Sequence, residues 1–266
     1  MTLPIYLQNI IKKINPNIVF GFDDAIFIDS DIKYVQRLNH IIRIAKAVVI
    51  GNDYTEDYVK QFNNNVLSFP GPIDCGKYTP RAEKKKPNEE IIIGWVGSDS
   101  TSEYLKLISN LLKELCDEYS NVSIEIIGSK PIKSLGKKCS YKPWDLKTEV
   151  ENIQNFDIGI MPLPNNKWTQ GKCGYKIFQY MATGIPTIAS PVGINTQIIE
   201  NGITGFLAKN ANDWSEKLKK LINDKALRIA MGKASRKKAE ESYSFEFSTP
   251  KLIKCLQLLT QKKPIN

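Results

Sequence analysis

Apolar positions recur along most of the chain at alternating helical and strand spacings. Leu3 to Ile14 repeats them at intervals of three and four, and Asn15-Pro16 ends the run, so a helix is predicted there. Ile18 to Phe22 reads as a short buried strand that delivers Asp23 and Asp24 at its C-terminal end. Helices are predicted over 34–46 and 53–62, and strands over 47–51 and 66–69. Pro70, Gly71, Pro72 and Pro80, followed by the charged RAEKKKPNEE, have the composition of a linker.

A second set begins with a strand over 91–96. Gly97-Ser98-Asp99-Ser100 turns from it into a helix reaching about Glu118, with Ser100 and Glu103 spaced as a capping box. Strands follow over 122–127, 141–144, 157–161, 185–190 and 206–208. Between and after them lie helices over 145–155 (Asp145 as its cap), 195–200, 212–223, 225–241 and about 247–261, and a polar loop over 162–170. Strands alternating with helices predict an α/β fold with parallel sheets. The divisions are 1–70, a linker over 71–90, a second domain over 91–245 and a closing helix over 246–266.

The densest chemistry lies in GKCGYKIFQYMATGIPTIASPVG, Gly171 to Gly193. Gly174 precedes a helix with apolar Ile177, Phe178, Met181 and Ala182, which Gly184 and Pro186 close. Lys172 and Lys176 are four apart, a spacing that places both on one face of the first helical turn. A helix start carries partial positive charge and free amide donors, so it favours anions there over lysines. No Asp or Glu lies between Asp157 and Glu200 to relieve that repulsion. Two readings follow: a phosphate or diphosphate held by both ammonium groups and the helix end, or two lysines pointing into water. The Gly97–Ser100 turn is a second place for phosphate contacts through backbone amides, although it matches neither a dinucleotide fingerprint nor a Walker loop.

Composition narrows the classes. The 266 residues are 42% hydrophobic, enough for a core, and no apolar run has the length of a membrane span. The start, MTLPIYLQNIIKK, lacks a signal-peptide pattern, so a cytoplasmic protein is expected. Five scattered cysteines without a C-x-x-C suggest neither a disulfide frame nor a zinc site, and Cys173 reads as a small buried residue. A single histidine, His40, excludes histidine-based metal clusters. The net charge of +9 points to an anionic partner. Its basic groups are Lys84–Lys86, the trio Lys217, Lys219 and Lys220, and Arg236–Lys238. The last two alternate with apolar residues and read as solvated helix faces, or as a face for peripheral contact with the inner surface of a membrane. No nucleic-acid-binding motif is present and the aromatics do not interleave with the basic runs, so nucleic acid is not the expected partner.

KCGYKIFQYMATGIPTIASPVG with the downstream NGITGFLA resembles the donor-binding core of retaining glycosyltransferases of family 4, which have the GT-B fold. The resemblance extends over most of the chain. It implies a Rossmann-type C-terminal domain and a partial N-terminal domain lacking its front strands, with the last helix crossing back to the latter. Many members carry two glutamates with seven residues between them; here Gly171 stands at the first and Gln179 at the second. The implied activity is transfer of a sugar from a nucleotide diphosphate-sugar to a glycan or lipid-linked acceptor, with retention and without a metal or resident cofactor. A nucleotide-sugar-binding module without turnover is the alternative.

Donor contacts implied by the resemblance and the turns are Gly97, Ser98, Trp144, Lys172, Gly174, Tyr175, Lys176, Gln179, Ser190, Pro191 and Val192. Gln179 would hydrogen-bond ribose hydroxyls. Trp144 would stack on the base, or be a core tryptophan. Relatives often place a basic residue after the strand where Ser98 and Asp99 stand, which shifts the diphosphate onto Lys172 and Lys176. Asp23 falls at a histidine position with Asp24 following, so these two and Lys176 are the catalytic candidates. For the carboxylates, a turn cap is the alternative.

Overall fold

In a computed structural model, which describes residues 3–81 and 90–260, the chain divides into two compact units. The linker's basic run Lys84–Lys86 and the last expected helical residue, Gln261, lie outside the described residues.

The first unit comprises the described residues of Met1–Pro72, Asn165–Cys173 and Phe245–Asn266. Its strands β1 (Val19–Phe22), β2 (Ala47–Ile50) and β3 (Val66–Ser68) form a parallel sheet in that order. Parallel strands need crossovers, which the helices Ile32–Ile44 and Asp53–Lys60 supply. Asp31 caps the first through the Lys33 and Tyr34 amides, and Asn52 caps the second through the Thr55 amide. Leu38, Ile42, Ala45, Val48, Ile50 and Val59 are the buried core, and Phe27 stacks on Tyr58 with ring centres 3.6 Å apart. Helices Ile5–Ile14 and Phe245–Thr260 belong to the same unit, and His40 bonds Asn9 Oδ1 at 2.8 Å.

The second unit comprises the described residues of Ile73–Pro164 and Gly174–Ser244. Strands β4 (Ile91–Val96), β5 (Val122–Ile127), β6 (Cys139–Lys142), β7 (Ile158–Met161), β8 (Thr187–Ala189) and β9 (Gly205–Leu207) are all parallel. Their order is β6-β5-β4-β7-β8-β9. The chain starts in the middle, builds one half outward, then returns past β4 to build the other. The order therefore reverses between β4 and β7, and ligands bind at the carboxyl ends of strands at such a reversal. Apolar residues alternate between the faces: Ile91, Ile93 and Trp95 pack with Leu112, Leu115, Trp214 and Leu218, while Val96 packs with Ile153, Phe156, Phe178 and Tyr180.

Several expectations are corrected. The helix expected over 100–118 is three pieces, Asp99–Ser102, a 3-10 turn Glu103–Leu107 and Ser109–Glu118. No capping box forms, because Ser98 is the N-cap and Glu103 takes Lys106 Nζ at 2.7 Å. Pro143, which has no amide to donate, ends β6 at Lys142 and leaves Trp144 outside the strand. Asp145 closes a turn on the Lys147 amide, and the helix starts only at Glu149. The polar loop contains a helical turn, Lys167–Gln170, with an Asn166–Thr169 capping box.

Two of the three residues Arg236–Lys238 are not on a solvated face. The Arg236 guanidinium bonds the carbonyls of Cys75, Tyr78 and Ala182, and Lys238 pairs with Glu200 at 2.7 Å. Lys237 alone of the three is well exposed. No described helix is long and apolar enough to cross a membrane.

Candidate functional site

In the second unit, helix Tyr175–Ala182 begins at Gly174, whose φ of 71° is left-handed and therefore favours glycine. A Cβ there would also meet Ile198 Cδ1 at 2.7 Å and Ile194 Cγ2 at 3.1 Å, so the residues behind Ser190–Gly193 press directly on the helix start. Lys176 occupies the second helical position. Its Nζ lies 5.0 Å from the centre of the Trp95 ring, and its Cε would be 2.9 Å from a Cβ on Gly97.

Gly97 leaves β4, and Gly128 leaves β5 with φ +87°. A Cβ on Gly128 would lie 2.3 Å from the Gly97 carbonyl oxygen and 3.1 Å from Trp144 Cβ. The order across the carboxyl ends of the strands is therefore Lys176, Gly97, Gly128, Trp144. Two residues without side chains separate a cation at a helix start from an aromatic ring that is 52% exposed. Such an arrangement suits a flat ligand with a negative end, since the backbone can be approached closely and the helix dipole adds to the ammonium charge.

Beneath Trp144 lies a buried polar cluster. Glu149, 6% exposed, accepts from Trp144 Nε1 at 2.8 Å and Gln179 Nε2 at 2.9 Å on Oε1, and from the Tyr78 hydroxyl at 2.6 Å on Oε2. Gln179 Nε2 also donates to the Tyr78 oxygen at 3.1 Å. The nearest cation is Lys77 Nζ, 3.9 Å from Oε2. Burial, reinforced by the Glu149 carboxylate, holds the Tyr78 phenol above its usual range. Three uncharged donors and one distant ammonium thus hold a carboxylate out of water.

The remaining candidates are placed as follows. Ser98 is exposed, its Oγ 3.0 Å from Ser100 Oγ, and Tyr175 is exposed at the first helical position. Ser190 and Val192 are buried; the Ser190 hydroxyl accepts the Leu163 amide at 2.9 Å and its carbonyl accepts from Asn195 Nδ2. Pro191 between them is half-buried. Gln179 is buried with both amide hydrogens directed into the cluster rather than to solvent.

Lys172 departs from its expected place. It precedes the helix, belongs to the first unit, and its ammonium is 2.8 Å from Asp24 Oδ2 and 4.5 Å from the Trp168 ring centre. The negative partner absent from its own stretch of sequence comes from Asp24, which also accepts the Cys173 amide at 3.3 Å. Asp23 is exposed and its carboxylate has no hydrogen-bond or ion-pair partner among the described residues. Two adjacent carboxylates therefore differ in kind. In the same unit Gly171 is buried; its carbonyl accepts from Asn52 Nδ2 at 3.0 Å, and a Cβ on it would meet Ala25 Cβ at 2.3 Å. No glutamate side chain fits there without displacing Ala25. Cys173, expected to be buried, is half-exposed.

Sequence reasoning missed Tyr78, Gly128 and Glu149. Gly128 carried a signal, as a glycine closing a strand beside another strand-closing glycine. Glu149 carried none, being one of several acids at the start of a polar helix.

The model of the family described as glycosyl transferases group 1 matches residues 77–238, more than half of the chain. Spore coat protein SA of Bacillus subtilis (strain 168) is 31% identical over 227 residues, covering 74% of this chain and 59% of that protein. A sulfoquinovosyl transferase of Arabidopsis thaliana is 26% identical over 246 residues, covering 84% and 45%. The chain spans about half the length of the curated relatives it matches. Among solved structures, Anabaena Alr3699/HepE in complex with UDP and glucose has a TM-score of 0.75 at 13% identity, over 95% of this chain and 75% of that one. A glycosyltransferase from Rickettsia africae ESF-5 has a TM-score of 0.72 at 16% identity, over 97% and 80%. At such identities the likeness is one of fold, which is α/β, Rossmann-like and of the GT-B kind. By the family match, the chain belongs to the glycosyl transferases group 1 family.

Proposed function

We propose that the chain carries the donor half of a glycosyltransferase that moves a sugar from a nucleotide diphosphate-sugar to a glycan or lipid-linked acceptor, with retention and without a divalent metal. The observation that carries this reading is Lys176 at a helix start, facing Trp144 across Gly97 and Gly128 in a chain of this family. The diphosphate lies against Lys176 and the helix end, and the nucleoside runs over the glycines toward Trp144. When the sugar–phosphate bond breaks, the leaving nucleotide gains negative charge while the sugar becomes cation-like. A fixed ammonium and an oriented helix dipole stabilise that charge with no reorganisation during the reaction. Residues 158–199 contain no Asp or Glu, so this stretch offers a diphosphate cations rather than metal-binding carboxylates. The solved structure with UDP and glucose is of a protein with this fold.

In the first unit, Asp23 is the carboxylate available to a hydroxyl of an acceptor or sugar, because Asp24 is held by Lys172. A nucleotide-sugar-binding module without turnover is the second reading, favoured by Gln179, which stands where the resemblance puts a glutamate and directs its amide to Tyr78 and Glu149.

The test is titration of a panel of nucleoside diphosphates and nucleotide-sugars into the chain and into Lys176→Ala, with release of free sugar followed in parallel. Tight binding lost in the variant, with slow sugar release, is the expected result. Binding without release selects the module, and no binding by any member overturns the donor site.

A further inference from the structure

We propose that Glu149 is a positioning residue of the donor site, which holds the Trp144 ring as a fixed stacking platform for the nucleobase; this rests on the donor-site reading above. Trp144 is more than half exposed, and an exposed tryptophan ordinarily turns among several rotamers. Here its single polar atom is bonded at 2.8 Å to a carboxylate that is itself buried. The indole edge is thus anchored while more than half of the residue stays open to solvent.

The anchor is in turn fixed. Glu149 also accepts from Gln179 and Tyr78, so the carboxylate cannot turn away without leaving the Tyr78 hydroxyl and one Gln179 N–H unmet. A buried carboxylate served by three uncharged donors costs desolvation energy that an uncharged side chain would avoid. Its place beside an exposed aromatic, bonded to that ring's one polar atom, points to a task at that aromatic.

Gln179 lies one turn beyond Lys176 on the same helix. The Gln179–Glu149–Trp144 chain therefore ties the base platform to the element that carries the phosphate cation. The distance between the two ends of the ligand is set before it arrives, and ordering lost in advance is not charged against affinity.

The test measures affinities for UDP, ADP, GDP and inorganic pyrophosphate in the wild type, Trp144→Ala, Trp144→Phe, Glu149→Gln and the double variant Trp144→Ala/Glu149→Gln. Base–aromatic stacking of the usual strength predicts that Trp144→Ala weakens the tightest nucleoside diphosphate by about tenfold or more. Glu149→Gln weakens it several-fold, and the double variant is no weaker than Trp144→Ala alone, since the carboxylate acts through that ring. Pyrophosphate affinity stays within twofold throughout. Trp144→Phe, which keeps a smaller aromatic face and removes the N–H that Glu149 holds, also loses affinity, and it decides the matter should Glu149→Gln fail to fold.

Wild-type affinity in Trp144→Phe, an equal loss for pyrophosphate, or full additivity in the double variant overturns the positioning role and leaves the donor site standing. Absence of nucleoside diphosphate binding in the wild type overturns both.

Discussion

Gln179 donates a hydrogen bond to Glu149 across 2.9 Å, both side chains being buried. An amide beside a carboxylate is a satisfied pair, and two carboxylates at that distance are not. Gln179→Glu, which restores the acid expected from the resemblance, is therefore predicted to destabilise the second unit by about 3 kcal/mol at pH 7. The pair would keep a proton, so its pKa rises above the unfolded value. The sign follows: the deficit is present at neutral pH and shrinks as the pH falls toward the ordinary glutamate range near 4.3. Urea unfolding at pH 7 and pH 5 reads it; a variant as stable as the wild type at pH 7 contradicts the charge argument.

Gly97→Ala places a methyl group 2.6 Å from the Trp95 ring and 2.9 Å from Lys176 Cε. The buried ring cannot yield, so the turn at residue 97 must shift away from it, and the lysine packed on that turn is displaced with it. Titration calorimetry is expected to show roughly tenfold weaker nucleoside diphosphate binding, the loss of one charge-assisted contact. Unchanged affinity would mean that Lys176 does not lie along the ligand's path.

Adjacent Asp23 and Asp24 separate by stability. Asp24→Asn breaks a partly shielded ion pair with Lys172 and is expected to cost about 1 kcal/mol in chemical denaturation. Asp23→Asn, at an exposed carboxylate without a partner among the described residues, is expected to stay within about 0.5 kcal/mol of the wild type. Equal losses would contradict the difference between them.

Alkaline conditions should unfold the chain early. Burial pushes the Cys116 thiol up to about 11 and the Tyr141 phenol up to about 12, and also raises Tyr180. Folded-state values above unfolded ones mean that the unfolded chain loses these protons first. Stability is therefore complete below about pH 8.5, the ordinary thiol value, and falls as pH rises through 11. Melting temperatures measured from pH 7.5 to 11 test this, with Cys116→Ala flattening the first part of the decline.

Much of the fold was legible because its signals are local. Strand β4 and strand β5 fall on the expected residues, since six apolar-rich positions bounded by polar turns have no other good conformation. The helix start at Gly174 and the turn at Gly97 are legible for the same reason, each glycine marking the end of an element. Lys172 was misplaced because its partner Asp24 is 148 residues away, and no spacing rule reaches that far. Gln179 stands where the resemblance puts a glutamate, and nothing local shows that Glu149, supplied by another helix, already occupies the space beside it. Arg236 looked like a surface cation because its acceptors are main-chain carbonyls, which every residue has and no residue type reveals.

Those carbonyls bear on the order in which the protein is made. Cys75 and Tyr78 leave the ribosome about 160 residues before the guanidinium that receives them, at sequence separations of 161 and 158. Until Arg236 emerges, the segment carrying Tyr78 lacks its clamp, and Glu149 and Gln179 wait for a phenol that is not yet held in place. The second unit thus closes only once its own last helices have been made, through contacts between its first and last parts rather than by growth from one end.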